Sequence, residues 1–283
     1  MTQHDLRIAA EPPDTPDGRA LIAESQAHLE AVFPADGIFT LTAEELAAQA
    51  EAFFVARDGA GRALGCVALV VGRDAAGPYA EVKRLMVRPA ARGQGAGRAL
   101  MAAFEARARA LDLALARIET GPELTEAVAL YRRLGYRETG PFGSYALHPS
   151  SLFMGKRLIR RGHCLCGRVR YRADGPVLWQ RHCHCESCRR ATSSPMTTFF
   201  DVADGGWCWT GETPARYASS PGVTRFFCPT CGSPMAYRHD TAAQGEMHFL
   251  ACTLDDPRDV EPEGHDFWEE HLPWLVLADG LPR

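Results

Sequence analysis

Nine of the ten cysteines lie between Cys164 and Cys252, and their spacing is that of metal ligands. Cys164-Leu165-Cys166-Gly167 and Cys228-Pro229-Thr230-Cys231-Gly232 each hold two thiols followed by a glycine, which permits the tight turn that aims backbone amides at thiolates. Two such pairs supply four thiolates, which fill a tetrahedral Zn2+ at about 2.3 Å per bond and leave no open position. Cys164, Cys166, Cys228 and Cys231 are therefore expected to form a structural site. Cys183-His184-Cys185-Glu186-Ser187-Cys188 offers three thiolates, and three ligands leave one position free, as a reactive zinc requires. His182 and His184 are expected to be hydrogen-bonding neighbours of this cluster, the alternative being that one replaces a thiolate as a ligand. Cys208 and Cys252 lack paired spacing and are expected to be buried, as is Cys66.

A second pattern lies in Val87-Arg88-Pro89-Ala90-Ala91-Arg92-Gly93-Gln94-Gly95-Ala96-Gly97-Arg98. Glycines there let backbone amides approach an anion, and a helix opening near Gly95 would add unsatisfied N–H groups and a positive partial charge. A pyrophosphate suits such a turn. The phosphate-binding P-loop needs Gly-Lys-Ser/Thr after four residues, and the dinucleotide fingerprint needs a third glycine where Arg98 stands, so neither applies. The form that remains is R-x-x-G-x-G, on Arg92, Gly95 and Gly97.

Apolar periodicity places these residues. In the first half, short apolar runs alternate with 3.6-residue patterns, the mark of an α/β unit. Strands are expected at Leu6 to Ala10, Phe53 to Arg57, Leu64 to Val71, Ala80 to Val87, Ala116 to Thr120, Tyr136 to Thr139 and Leu152 to Lys156. Helices are expected at Pro16 to Phe33, Ala43 to Ala50, from about Gly95 along Leu100, Phe104, Ala108 and Leu111, and along Ala127, Leu130, Tyr131 and Leu134 up to a stop at Gly135. The second half shows almost no helical pattern. Its short runs, at Val169 to Tyr171, Met196 to Val202, Thr224 to Phe227 and Met247 to Ala251, alternate with turn residues and read as a small all-β unit. All five tryptophans also fall there. The seam is expected within Gly155 to Gly162, giving units of residues 1–157 and 158–283.

The glycine turn, followed by Glu126-Ala127-Val128-Ala129-Leu130-Tyr131-Arg132-Arg133-Leu134-Gly135-Tyr136, resembles the GNAT acetyltransferase superfamily over roughly residues 6 to 157. The resemblance implies a mixed sheet flanked by helices. It implies acetyl-CoA as cosubstrate, with Arg92, Gly93, Gln94, Gly95, Ala96, Gly97 and Arg98 around its pyrophosphate, and Leu85, Met86 and Val87 lending backbone groups to the acetyl carbonyl and pantetheine arm. Tyr131 matches the proton donor to the departing thiolate. Its phenol, with a pKa of about 10, is close enough to an aliphatic thiol to share a proton without ionising at pH 7. Glu81 stands where members place a base or a water-holding carboxylate, and Glu119 is a weaker candidate. The acceptor is expected to be a small amine, bound by variable segments such as Pro34 to Leu41 and Gly140 to Ala146.

The second half resembles the glutathione-dependent formaldehyde-activating enzyme family through Cys164-Leu165-Cys166, Cys183 to Arg189, Phe227 to Ser233, Leu254-Asp255-Asp256-Pro257, Trp274 and Asp279-Gly280-Leu281-Pro282. It departs from that pattern at Thr192-Ser193-Ser194, where relatives carry a glycine. The resemblance implies a β-tent, a structural zinc on Cys164, Cys166, Cys228 and Cys231, and a labile zinc on Cys183, Cys185 and Cys188. It also implies glutathione as a partner, with a carbon–sulfur lyase-type reaction on its formaldehyde adduct.

Charge narrows the field further. Over 283 residues the net charge is −4, and no basic field exists to hold nucleic acid or an anionic membrane. Residues 158–283 alone hold 13 arginines and no lysine against 16 acidic residues, a net of −3. The opening Met-Thr-Gln-His-Asp-Leu-Arg lacks the apolar core of a signal peptide, and no apolar window reaches membrane-spanning length, so a cytoplasmic protein is expected. Only Lys83 and Lys156 are lysines, against 29 arginines, a skew that reads as genome composition. The expectation is a bifunctional fusion; the alternative keeps the acetyltransferase alone active and makes the zinc unit a structural, binding or regulatory module.

Overall fold

A computed structural model describes residues 6–240 and 245–283 and divides the chain into two compact units, Met1–Leu158 and Ile159–Arg283. The first begins with β1 (Arg7–Ala10) and α1 (Pro16–Glu30). Thr15 caps α1 by accepting the Gly18 amide, and Pro16 supplies a helical φ at the first turn. The short α2 (Ala43–Gln49) is started by a full capping box between Thr42 and Glu45. There follow β2 (Ala50–Arg57), β3 (Ala63–Asp74), β4 (Gly77–Val87), α3 (Ala96–Ala110), β5 (Leu115–Thr120), α4 (Thr125–Arg133), β6 (Arg137–Glu138) and β7 (Leu152–Arg157).

These strands form one mixed sheet in the order β1-β2-β3-β4-β5-β7-β6. Leu100, Met101, Phe104 and Ala108 of α3 are fully buried, the face that its periodicity requires. On α4 the buried residues are Val128 and Tyr131, while Ala127, Leu130 and Leu134 are only half-buried. The strand expected at Tyr136 to Thr139 contracts to Arg137–Glu138, because Gly135 turns at φ 85° and Tyr136 goes into the core.

The centre of this unit is where β4 changes partners. Its pairing with β3 runs its whole length, whereas its parallel pairing with β5 covers only Ala80–Ala116 to Val82–Ile118. Beyond Val82 the ladder with β5 stops, and from Lys83 to Val87 the strand is paired with β3, across a bulge. A bulge opposite Cys66 to Ala68 puts Arg84 at φ 54°, a left-handed conformation that costs a non-glycine residue about 1 kcal/mol. Two hydrogen bonds from the Arg84 guanidinium to the Leu41 carbonyl (2.9 and 2.7 Å) hold it there.

The second unit contains β8 (Arg160–His163), β9 (Arg170–Ala173), β10 (Val177–Cys183), α5 (Glu186–Thr192), β11 (Thr197–Ala203), β12 (Trp207–Trp209), β13 (Ala215–Ser220), β14 (Val223–Phe227), β15 (Pro234–His239), β16 (Glu246–Leu250) and β17 (His265–Asp266). They make a seven-stranded sheet, β13-β14-β15-β16-β11-β10-β17, and a three-stranded sheet, β12-β9-β8. Val169, Tyr171, Phe200, Val202, Phe226, Met247 and Phe249 form the core. The reading of the second half as all-β is corrected in one place, by α5, the single α-helix among the described residues of this unit: Cys185 caps it, its sulfur accepting the Cys188 amide at 3.3 Å.

Cys208 and Cys252 are exposed, contrary to expectation. In β12 the flanking Trp207 and Trp209 pack on the core, so strand alternation turns Cys208 outward. Cys66 is buried as expected, its thiol pushed up to about 12 by burial.

Candidate functional site

The glycine turn sits between the free end of β4 and α3. Pro89–Ala91 form a 3-10 turn, Gly93 and Gly95 adopt φ 73° and 86°, and Gly95 is the N-cap of α3 without a side-chain hydrogen bond to the first-turn amides. No acidic residue occupies that turn. The amides of Ala96, Gly97 and Arg98 therefore present an uncapped positive helix end. Gly97 is small because the neighbouring helix is close: a Cβ there would lie 3.1 Å from Leu130 Cδ2. Arg92 donates to the Val87 carbonyl (3.2 Å) and pairs with Glu126 (3.0 Å), tying the turn to β4 and to α4.

Tyr131, the next residue of α4, is buried, its ring 6.0 Å from that of Tyr136. Burial lifts the Tyr131 phenol well above its usual range, with Glu119 adding to the shift, so the hydroxyl keeps its proton. Glu119, on β5, is itself raised by burial against a hydrogen bond from Ser151 (2.8 Å) that lowers it. Glu81, on β4, is buried and accepts from Lys83 (2.8 Å) and from the Tyr145 hydroxyl (2.7 Å); Lys83 also donates to Tyr145. Burial and then Glu81 hold the Tyr145 phenol high.

Lys83 and Tyr145 are functional candidates that sequence reasoning missed. The signal available was lysine scarcity, since each of the two lysines meets a buried carboxylate, Lys83 on Glu81 and Lys156 on Glu105. The two segments expected to bind an acceptor do converge here. Phe39 packs edge-on against Tyr145 (5.7 Å) and His148 (6.0 Å), while Tyr145 also meets Phe142 and Phe153. A carboxylate, an ammonium and a phenol thus stand against an aromatic wall.

In the second unit the first four cysteines converge as their spacing requires. Cys164, Cys166, Cys228 and Cys231 lie with all sulfurs within 4.8 Å, including separations of 3.5 Å (Cys164 to Cys166) and 3.7 Å (Cys166 to Cys228). A tetrahedral zinc with bonds of about 2.3 Å spaces its sulfurs about 3.8 Å apart, so the donor set fits that ion. Gly167 (φ 76°) and Gly232 (φ 74°) complete equivalent turns, each donating its amide to the carbonyl of the first cysteine, Cys164 or Cys228, at 2.9 Å. The Ser233 hydroxyl and amide pull the Cys231 thiol down to about 5.

Cys183, Cys185 and Cys188 form a second group within the same limit. Hydrogen bonds from Cys183 and then Cys188 hold the Cys185 thiol far below its usual range. Phe199, Leu250, Trp179 and Tyr237 pack around them. Within Thr192-Ser193-Ser194, where the sequence departs from the glycine of the family pattern, Ser193 takes the left-handed conformation (φ 53°, ψ 33°) that ends α5. His182 and His184 stand outside both thiol groups: His182 meets Thr198 (2.9 Å), and His184 meets His265 (2.8 Å), which in turn meets Asp279 (3.1 Å). Among the described residues no helix is long and apolar enough to cross a membrane.

Comparison with known proteins follows the same division. Residues 20–136 match the model of the acetyltransferase (GNAT) family, and residues 159–270 match that of the glutathione-dependent formaldehyde-activating enzyme. An "IAA acetyltransferase" of Azospirillum brasilense is 40% identical over 154 residues, covering 54% of this chain and 99% of the relative. An uncharacterized lyase of Schizosaccharomyces pombe is 34% identical over 80 residues, covering 28% of this chain and 56% of that relative, so the chain spans just over half of its length. Among solved structures, a Klebsiella pneumoniae protein provisionally assigned as an acyl-CoA N-acyltransferase is 33% identical, covers 54% of this chain and 98% of its own, and superposes with a TM-score of 0.45.

Proposed function

Because the chain belongs to the acetyltransferase (GNAT) family through its first half and carries a glutathione-dependent formaldehyde-activating enzyme domain in its second, we propose that it acetylates a small amine at the expense of acetyl-CoA and that its second unit is a two-zinc β-tent acting on a thiol adduct. The observation that supports the first part is the glycine turn, where Gly95 leaves the first-turn amides of α3 uncapped and Gly97 packs on Leu130 of α4, the helix that carries Tyr131. The pyrophosphate would bind the amides of Gly93 to Arg98, and the pantetheine arm would run along Leu85, Met86 and Val87, whose edge β5 leaves open.

The amine nitrogen attacks the thioester carbonyl; the carbon–nitrogen bond forms and the carbon–sulfur bond breaks. Glu81 receives the amine's surplus proton, and the departing thiolate takes one from Tyr131. The resulting phenolate is reprotonated from solvent. Lys83 and Tyr145 position Glu81, and the Phe39, Tyr145 and His148 wall would hold the acceptor's apolar part. Amine-dependent release of coenzyme A from acetyl-CoA by the full chain tests this reading, and an amine panel that elicits none would sink it.

For the second unit, Cys164, Cys166, Cys228 and Cys231 would hold a structural zinc, while Cys183, Cys185 and Cys188 would hold one with an open position. That zinc would lower the pKa of a bound thiol. Glutathione and formaldehyde combine unaided, so the test is exchange between free glutathione and its hydroxymethyl adduct by NMR. Wild type should accelerate it and Cys185→Ser should not; equal rates would leave the unit as a binding or structural module.

A further inference from the structure

The large sheet of the second unit carries, on the face opposite Phe200, Val202, Met247 and Phe249, a third group of metal-ligating side chains that neither thiol cluster uses. Asp201 on β11 and His248 on β16 are directly opposed across the ladder, and Glu246 lies two residues before His248 on the same face. Asp201 Oδ1 is 3.3 Å from His248 Nδ1, and the three residues each bring a ligand atom within 4.8 Å of the others. Asp201 is 0% exposed and His248 2%, yet among the described residues both carboxylate oxygens of Asp201 and both ring nitrogens of His248 lack a hydrogen-bond partner. Tyr237 stacks on the His248 imidazole (4.3 Å, 11°), and Trp179 approaches it at 5.2 Å. Glu246, half-buried, marks the open side.

Buried polar atoms without partners are costly, and two facing carboxylates repel unless something positive lies between them. We propose that Asp201, Glu246 and His248 form a third metal site, for a divalent cation that prefers oxygen and nitrogen ligands, with Mn2+ as its probe. Two carboxylates and an imidazole suit such a cation, whereas the thiolate clusters select softer ions. Three ligands from one side leave the remaining positions to water or a small ligand. Burial keeps the imidazole neutral by pushing it down to about 4, which leaves a ring nitrogen free to ligate. Burial, with Glu246 second, pushes Asp201 up to about 8. The rival occupant is therefore a single proton shared by the two carboxylates.

The full chain, its thiolate clusters loaded with zinc, would be dialysed against a weak chelator and titrated with Mn2+, free Mn2+ being followed by its EPR signal. One Mn2+ per chain is expected in wild type and in Cys185→Ser, with binding weakened ~10-fold or more in Asp201→Asn and in Glu246→Gln. Glu246→Gln serves where the deeply buried Asp201→Asn fails to fold. A wild type that binds no Mn2+ would assign the pair to a shared proton and overturn the site. Binding that survives both carboxamide variants, or is lost in Cys185→Ser, would overturn it equally, because the ion would then reside elsewhere.

Discussion

Tyr131 and Cys66 show how burial sets the chemistry of a single side chain. Charging either would cost desolvation, so the phenol and the thiol both keep their protons at neutral pH. For Tyr131 that keeps in place the proton that its proposed role would donate. Tyr131→Phe should lower kcat by about 100-fold, the size of a typical acid-catalysis contribution, while the Kd for acetyl-CoA changes less than about twofold. Single-turnover kinetics with isothermal titration would check it, and unchanged turnover would remove Tyr131 from the mechanism. For Cys66 the same physics makes an inert residue. In the zinc-loaded chain iodoacetamide should modify exposed Cys208 and Cys252 and spare Cys66 from pH 6 to pH 9, since a thiol pushed up to about 12 remains protonated throughout. Peptide mass spectrometry reads the outcome, and a labelled Cys66 would contradict the burial argument.

Elements rather than residues make the proposed cosubstrate site. α3 offers its N-terminus because Gly95 reaches φ 86° and leaves the first-turn amides uncapped. Gly95→Ala should cost about 1 kcal/mol in stability from left-handed strain alone. It should also raise the Kd for acetyl-CoA several-fold, whereas Gly61→Ala, another left-handed glycine in open space but in the β2–β3 turn, should leave binding unchanged. Equal affinities in the two variants would detach the loop from coenzyme A. The loop's position was legible in the spacing of Arg92, Gly95 and Gly97, because glycine at a strand-to-helix turn is a local backbone requirement. α5 was not legible: seven residues are too few for a periodic stripe, and its start is capped by a cysteine, a residue outside the usual capping set. Cys208 was misjudged for a different reason. Unpaired spacing says nothing about direction, and the alternation Trp207-Cys208-Trp209 would have pointed the thiol outward had β12 been recognised as a strand.

At the scale of the whole molecule, the chain forms two compact units, and both groups of converging cysteines lie in the second. If four thiolates hold a structural zinc, metal binding contributes directly to folding of residues 159–283. Cys228→Ser should therefore lower the melting temperature of that unit by several degrees, read through the tryptophans that only it contains, and an unchanged value would refute the structural assignment. Cys185→Ser should leave that melting temperature nearly in place. A strong chelator should likewise melt the second unit early while acetyl-CoA still binds, and simultaneous loss of both would show that the units depend on each other.

What the sequence by itself determined is whatever depends on chain-local geometry: the helix face of α3, the glycine turn, the paired cysteine knuckles and the change of character between the halves. These follow from backbone dihedrals and side-chain period, which neighbours in the chain control. What only the tertiary structure decided is which distant side chains share a desolvated space. The Glu81–Lys83–Tyr145 cluster needs Tyr145, 62 positions beyond Lys83, to fold back over β4. The buried trio of Asp201, Glu246 and His248 exists only because β11 and β16, 49 positions apart at their first residues, pair in that one register. A register shift of one residue would turn these side chains to the other face of the sheet, so no local pattern could have announced them.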